Sequence, residues 1–196
     1  DLIQMGVENG IHMMWTDTNT FDCESGNGTG SGVLVDWLEY CPDLANVMRE
    51  NKEYISLMYK ESYGNPSTEA LYLGMWLTDY IGNWGIASDW WHWQLDSNGA
   101  LFDAGSGGDA WKQCLTWPEA MYTMDILRAA SQGATCFKSE AQWYSNATKG
   151  MRTPGYQYSI APFLEKLASG EYRIPTQEEV LADTKAIVVG RNNWRD

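Results

Sequence analysis

The sequence is poor in metal-binding residues. Its 196 residues include only two histidines and four cysteines, with no HxH, HExxH or CxxC spacing. Zinc sites are built mostly from closely spaced Cys and His ligands, so we expect no catalytic metal and no other cofactor. Cys23, Cys41, Cys114 and Cys136 are either paired in two disulfides, with Cys23 and Cys41 closing one local loop, or free thiols. Both alternatives stay open.

Basic residues and long apolar runs are also scarce. Lys and Arg number 13 against 26 Asp and Glu, which gives a net charge of −13. Phosphate binding needs clustered Lys and Arg, so nucleic acids and anionic membranes are excluded as partners. No apolar run approaches the roughly 18 residues of a membrane span. The chain begins at Asp1 without a signal-peptide pattern. We therefore expect a processed or truncated piece of a secreted or cell-surface bacterial protein that acts on a neutral polymer.

Aromatic residues, in contrast, are abundant, with eleven Trp and eleven Tyr. Residues 71–79 are almost all apolar and predict a buried strand that ends on Asp79. Residues 80–93 predict an irregular loop rich in Trp. Aromatic rings stack on the C–H faces of sugars, and carboxylate pairs cut glycosidic bonds, so this stretch indicates a sugar site. The alternative is a Trp-rich core with an Asp that caps a helix.

The order of predicted elements indicates a parallel α/β protein. Strands are expected at 10–17, 71–79, 134–140 and 186–189, with helices at 43–61, 116–131, 158–168 and 175–183. Asp17, Asp79 and Glu140 stand at strand ends, and the active sites of β/α proteins collect at the C-terminal ends of their strands. A closed (β/α)8 barrel takes about 250 residues. We therefore predict an α/β fold of the (β/α)8 TIM-barrel type, of which this chain covers the C-terminal half.

An ordered set of motifs resembles glycoside hydrolase family 98. They are Trp15-Thr16-Asp17, Gly74-Met75-Trp76-Leu77-Thr78-Asp79-Tyr80, Trp84-Gly85, Asp89-Trp90-Trp91-His92-Trp93, Pro118-Glu119-Ala120, Phe137-Lys138-Ser139-Glu140 and the segment 174–186. The resemblance implies a secreted, inverting endo-β-1,4-galactosidase that releases blood-group oligosaccharides, or an endo-β-1,4-xylanase. It further implies that residues 1–185 form part of the catalytic barrel and that residues 186–196 lead toward a C-terminal β domain. The N-terminal barrel half would be a separate part of a longer parent chain.

The same resemblance implies the catalytic residues. An inverting glycosidase uses one protonated carboxyl and one carboxylate that activates water, about 6.5–9.5 Å apart. Asp89 and Glu140 match the positions of the family's base side. Asp17 matches the general acid, although the family has Glu there and Asp is one methylene shorter. Glu24 or Glu8 are alternatives for that role.

Further residues are candidates for binding an oligosaccharide or polysaccharide substrate. They are Trp84, Trp90, Trp91, Trp93, Asp79, Trp143 and Tyr144. The alternative is that many of these side chains pack inward, and for Asp79 we favour a structural role in which it hydrogen-bonds backbone at the top of the barrel. A non-catalytic carbohydrate-binding protein would also use a Trp-rich groove. The three strand-end acids favour the enzyme.

Overall fold

The computed structural model describes residues 2–17, 38, 41–61, 66–88, 119–139, 145–146 and 151–184. The helices are α1 (Leu2–Glu8), α2 (Pro42–Glu50), α3 (Pro66–Leu77), α4 (Glu119–Ser131), α5 (Ala161–Ala168) and α6 (Gln177–Asp183), with a π-helical stretch at Tyr156–Ile160 directly before α5. The strands are β1 (Met13–Asp17), β2 (Ile55–Glu61), β3 (Asn83–Ser88), β4 (Cys136–Ser139), β5 (Ser145–Asn146) and β6 (Met151–Arg152). None of the described helices is long and apolar enough to cross a membrane.

Strands β1 to β4 form a parallel sheet in which spatial order follows chain order. Parallel crossover connections are right-handed. Because each strand is added on the same side of the preceding one, all the connecting helices lie on one face of the sheet. This is the arrangement of half a barrel: the described strands of the sheet number four, against eight in a closed (β/α)8 fold. The predicted α/β class with parallel strands is confirmed, and β5 pairs with β6 in a separate antiparallel ribbon.

The core lies between this sheet and its helices. Alternate strand residues face the helices, and Leu57 of β2 stands in register with Trp84 of β3. The buried core comprises Ile55, Leu57, Tyr59, Trp84 and Ile86 from the strands, with Tyr72, Met75, Trp76, Ile126, Ala129, Ala130, Phe163 and Val180 from the helices. Ser56, Met58 and Ala87, which alternate with these strand residues, are buried but stand outside that cluster.

The predicted strand at 71–79 is wrong. Residues 71–77 belong to helix α3, which begins at Pro66. This helix is apolar on most sides because it packs on the sheet with one side and touches α6 with another. An apolar run without polar interruptions fits a buried strand and a buried helix equally, so the sequence pattern could not decide between them.

Two further predictions are also wrong. The predicted helix at 43–61 ends at Glu50, and Ile55–Glu61 form strand β2. The predicted loop at 80–93 contains strand β3. The predictions for β1, α4, β4, the helix at 158–168 and α6 are confirmed. The expected strand at 186–189 lies outside the described residues. Cys41 and Cys136 are free thiols, while Cys23 and Cys114 lie outside the described part.

An ion pair between a buried carboxylate and a half-exposed arginine joins α3 to α4. Glu69 is 6% exposed, and its Oε2 lies 2.9 Å from Nη2 of Arg128. The other carboxylate oxygen, Oε1, has no hydrogen-bond partner in the described structure. Burial raises the pKa of Glu69 above 4.5, while the charge of Arg128 opposes the shift and that of Asp125 adds to it.

This shift has a consequence for stability. Between 4.5, the ordinary pKa of this carboxyl, and its raised pKa in the fold, the folded protein holds a proton at Glu69 that the unfolded chain has lost. Its contribution to stability therefore falls as pH rises through the raised pKa. We expect Glu69→Gln to remove this loss, so that stability relative to wild type increases from acidic to neutral pH. Urea unfolding of both proteins across that range measures the difference, and a difference independent of pH would contradict the prediction.

Candidate active site at the C-terminal edge of the sheet

In the sequence, a carboxylate ends or directly follows each of the four described strands of the parallel sheet. Asp17 and Glu61 are the last residues of β1 and β2. Asp89 and Glu140 immediately follow the last residues of β3 and β4 in the sequence. The C-terminal ends of the strands carry the active site in barrel enzymes. Sequence reasoning missed Glu61 because it assigned residues 54–61 to a helix, although alternation of Ile55, Leu57 and Tyr59 is the signal of a strand.

Two of these acids directly follow residues that are paired across the sheet. Ser88 of β3 pairs with Ser139 of β4, and the next residue on each strand is Asp89 and Glu140. Neighbouring strands lie about 4.7–4.9 Å apart, so the chain enters these two positions about one strand spacing apart. Asp89 and Glu140 themselves lie outside the described residues, and their roles stay predictions.

Asp17 lies on β1, which is not adjacent to β3 in the sheet. It stands in register with Tyr59 of β2, and β2 separates β1 from β3. Two strand spacings amount to roughly 10 Å, close to the acid-to-base distance of inverting glycosidases, about 6.5–9.5 Å. Position 17 continues the row of Met13 and Trp15, which stands in register with the helix-facing residues Ile55, Leu57 and Tyr59 and not with the row of Ser56, Met58 and Lys60. Its role as general acid stays a prediction.

Two lysines flank Ala87 on the neighbouring strands. Ala87 of β3 stands in register with Lys60 of β2 and with Lys138 of β4. In the sequence, Asp89 and Glu140 come two residues after Ala87 and Lys138. The side chain of Lys138 is exposed. Cations close to a carboxylate favour its ionised form, which suits a group that must accept a proton.

Trp84 does not reach this edge. Its side chain is fully buried in the helix-facing core, and its indole Nε1 has no hydrogen-bond partner among the described residues. The prediction that Trp84 binds substrate is therefore wrong, because β3 turns this ring toward the helices. Trp90, Trp91, Trp93, Trp143 and Tyr144 lie outside the described residues, and their assignment to substrate binding stays a prediction.

Asp79 lies at the opposite edge of the sheet. It follows the last turn of α3, where the backbone nitrogens of Asp79 and Tyr80 donate to the carbonyls of Trp76 and Met75. This is the Schellman closure of a helix, whose residue in left-handed conformation is usually Gly. Asp79 fills that place at φ 65°. Gly82, three residues on, donates to the carbonyls of Lys52 and Ile55 at the start of β2. The predicted position of Asp79 at a strand's C-terminal end is therefore wrong.

The Asp79 carboxylate ties three segments together at that edge. Its Oδ1 lies 2.6 Å from Nζ of Lys52 and accepts a hydrogen bond of 3.3 Å from Gln177 of α6. The hydrogen bond from Lys52 lowers the pKa of Asp79, and the one from Gln177 lowers it further. Gln177 also donates to the carbonyl of Trp76. Asp79 thus has a structural role, at the other end of the sheet from the one predicted.

We expect Asp79→Ala to reduce stability without changing kcat. Ala tolerates the left-handed conformation less well than Asp, at a cost of about 1 kcal/mol, and the exposed ion pair adds up to about 1 kcal/mol. Asp79→Asn should lose less stability, because Asn also tolerates the left-handed conformation and keeps an acceptor oxygen for Gln177. Urea unfolding and steady-state kinetics measure the two effects. A fall in kcat at unchanged stability would instead support substrate binding by Asp79.

His12 has a structural role and lies away from the C-terminal edge of the sheet. Its Nε2 lies 2.7 Å from the hydroxyl of Ser56, near the starts of β1 and β2. His92 lies outside the described residues. In the described part of the chain, no group of three or more His, Cys, Asp and Glu could hold a metal ion.

Comparison with known proteins adds to this geometry. The family model described as Glycosyl hydrolase family 98 matches residues 2–173. A curated relative, the blood-group-substance endo-1,4-beta-galactosidase of Clostridium perfringens, is 28% identical over 144 residues, which cover 70% of this chain and 18% of that relative.

Solved structures show the same fold. The catalytic module of a family 98 glycoside hydrolase from Streptococcus pneumoniae TIGR4 in its native form superposes with a TM-score of 0.71 at 22% identity, covering 94% of this chain and 31% of that chain. That module in complex with the LewisY pentasaccharide blood group antigen gives a TM-score of 0.69 at 22% identity. The chain thus spans 18% of the curated relative and 31% of the solved module.

Proposed function

The chain belongs to glycosyl hydrolase family 98, and from this premise we propose that it forms part of the active site of a secreted, inverting, endo-acting glycoside hydrolase. The proposed reaction cleaves β-1,4 linkages in glycans, either blood-group-type galactosides or xylan. The observation that carries the proposal is the set of four strand-end acids, with Asp89 and Glu140 one residue beyond the Ser88–Ser139 pair. A sugar-binding surface has little use for so many acids on one edge.

The proposed mechanism is a single displacement. Asp89 and Glu140 hold a water molecule and accept its proton as its oxygen attacks the anomeric carbon. Asp17 donates a proton to the glycosidic oxygen on the other face, so that the departing sugar leaves as a neutral alcohol. One water is consumed, and the configuration at the anomeric carbon is inverted. Lys60 and Lys138 favour the ionised state of Asp89 and Glu140, the two acids that are proposed to act as the base.

Two relatives support a glycan of the blood-group type. One is named as a blood-group-substance endo-1,4-beta-galactosidase, and a solved relative holds the LewisY pentasaccharide. We propose that the protein acts on such a glycan together with a further barrel half that contributes the other strands, and that residues 186–196 lead into a C-terminal β domain. Xylan is the second substrate class to be tested.

The assay that tests the proposal uses the protein expressed from its entire coding sequence. Release of reducing ends from a blood-group-bearing glycan and from xylan is measured, and NMR reads the anomeric configuration of the first product. We expect hydrolysis with inversion. Retention of configuration would contradict the mechanism. Saturable binding of either glycan without any release would support a carbohydrate-binding protein instead, a function compatible with Asp17 standing where the family has Glu.

A further inference from the structure

A second candidate site for sugar lies outside the barrel, in a groove between α4 and α5. The groove encloses about 200 Å³. Its walls include Tyr158 and Ser159 of the π-helical stretch, Thr123 of α4, Lys166 of α5 and Tyr172 beyond it. Pockets for drug-sized ligands measure about 300–1,000 Å³, so this groove has room for one or two sugar rings.

The groove is formed by an irregular helix. Tyr156–Ile160 are π-helical, and such stretches are rare and often occur at functional sites. Pro162 follows, and because it lacks an N–H it cannot bond the carbonyl of Tyr158 four residues earlier. This break in the regular ladder accompanies the outward position of Tyr158, whose side chain is 63% exposed.

Two tyrosines offer aromatic surface at this groove. Within the described structure, the side chain of Tyr158 makes no hydrogen bond, ion pair or ring contact. Tyr172 is 37% exposed and is held between Phe163, with ring centroids 6.3 Å apart, and the ammonium of Lys166, 5.0 Å from its ring centroid. An unused exposed ring beside a fixed one provides a stacking surface with little ordering cost.

The polar groups at the groove select a neutral ligand. Lys166 forms an ion pair with Glu171, so its positive charge is matched and does not attract a free anion. The Thr123 hydroxyl lies 2.9 Å from that of the buried Ser159 and 3.1 Å from the carbonyl oxygen of Glu119, so its proton is already engaged and it offers a ligand an acceptor lone pair. Apolar ring faces combined with hydroxyl and paired charged groups match a neutral sugar, which has C–H faces and hydroxyl edges.

The groove is formed by helical segments that come after β3 and β4 in the chain. Helix α4 follows the C-terminal end of β3, and the π-helical stretch and α5 follow that of β4. These are the strands that precede Asp89 and Glu140. Thr123 lies in the second turn of α4, and Tyr158 and Ser159 lie within the π-helical stretch.

We propose that this groove is an accessory binding site for a neutral sugar residue of the glycan, outside the cleavage site. The proposal rests on the proposed function, since it assumes that the protein meets glycans. Tyr158 supplies the stacking surface, Tyr172 supplies its exposed edge beside it, and the Thr123 hydroxyl with the Lys166–Glu171 pair supplies the hydrogen bonds. A shallow site of this size is expected to bind with a Kd on the order of 1 mM.

The test is an NMR titration of the whole protein with two probes, lactose and xylobiose. We expect saturable shifts in the amides of Tyr158, Ser159 and Tyr172 with at least one probe. Tyr158→Ala should weaken binding at these amides by about tenfold, whereas Tyr158→Phe, which keeps the ring, should change it less than about threefold. Met124→Ala is the matched control, because Met124 is 60% exposed on α4 and does not line the groove.

Several outcomes overturn the proposal. The proposal fails if the amides of the groove do not shift at about 20 mM of either probe. It also fails if Tyr158→Ala leaves the shifts unchanged. Shifts that depend on protein concentration without sugar would assign the groove to a second copy of the chain. In kinetics, Tyr158→Ala should raise KM for the polymer at unchanged kcat. If the groove binds lactose but the protein hydrolyses no glycan, the proposed function fails and the accessory site stands.

Discussion

Glu140→Gln is expected to lower kcat for hydrolysis of a β-1,4-linked glycan by about 10²–10⁴-fold, the usual contribution of a general base. Gln keeps the shape and hydrogen-bonding capacity of the side chain but cannot accept a proton from water. KM should change little, since the loss falls on the chemical step. Asp89→Asn should have a similar effect if the two acids hold the same water molecule.

The double variant separates a shared water from two independent roles. Residues that act as a unit show strongly non-additive effects, so Asp89→Asn with Glu140→Gln should be hardly slower than either single variant. Glu178→Gln is the control, because Glu178 is exposed on α6, which packs near the opposite edge through Gln177. Near-normal turnover of Glu140→Gln would remove this residue from the mechanism.

Gly85→Ala is expected to destabilise the protein by more than about 4 kcal/mol, which is exceptional for one methyl group. A Cβ built on Gly85 would stand 1.7 Å from the carbonyl oxygen of Cys136 and 2.5 Å from its carbonyl carbon. These are backbone atoms of the paired strand β4, so no side-chain rotation relieves the contact. Either β3 and β4 separate or the strand register changes, and both would disturb the edge that leads to Asp89 and Glu140.

Gly74→Ala is the matched control for this prediction. Gly74 lies inside helix α3, and a Cβ there would meet nothing within 4 Å. Ala is favoured over Gly in a helix by about 0.5–1 kcal/mol, so this variant should be slightly more stable than wild type. Urea midpoints measure both changes. Equal midpoints for Gly85→Ala and wild type would show that the strands are spaced differently from this structure.

Local chemistry made several elements predictable. Thr116, Pro118 and Glu119 are residue types that begin a helix, and α4 is described from Glu119 to Ser131, the expected end. The start of α6 was found from Thr176, whose side chain and Glu179 form a complete capping box. Arg173 adds a hydrogen bond that lowers the pKa of Glu179 to about 2. These signals involve residues three or four apart, and they need no knowledge of the remaining fold.

The errors concerned elements that are buried on more than one side. Residues 71–77 were assigned to a strand and form a helix, while residues 55–61 were assigned to a helix and form a strand. Trp84 was assigned to a sugar-binding loop and lies in the core. In residues 71–77 apolar residues occupy most sides of the helix, so neither a period of 3.6 nor a period of 2 dominates. In residues 55–61 the alternation of Ile55, Leu57 and Tyr59 was present and overlooked.

The sequence by itself determined the parallel α/β class, the family motifs and the carboxylates at the ends of β1 and β4, whereas the structure showed that Asp89 follows a strand. These depend on the order of residues along the chain and on capping chemistry. Only the tertiary structure decided that Glu61 also ends a strand, that Asp79 closes a helix at the opposite edge and that Trp84 faces inward. The physical reason is that the hydrophobic effect is non-directional: it favours burial of an apolar segment, while the neighbouring segments that bury it decide its conformation and the face it presents.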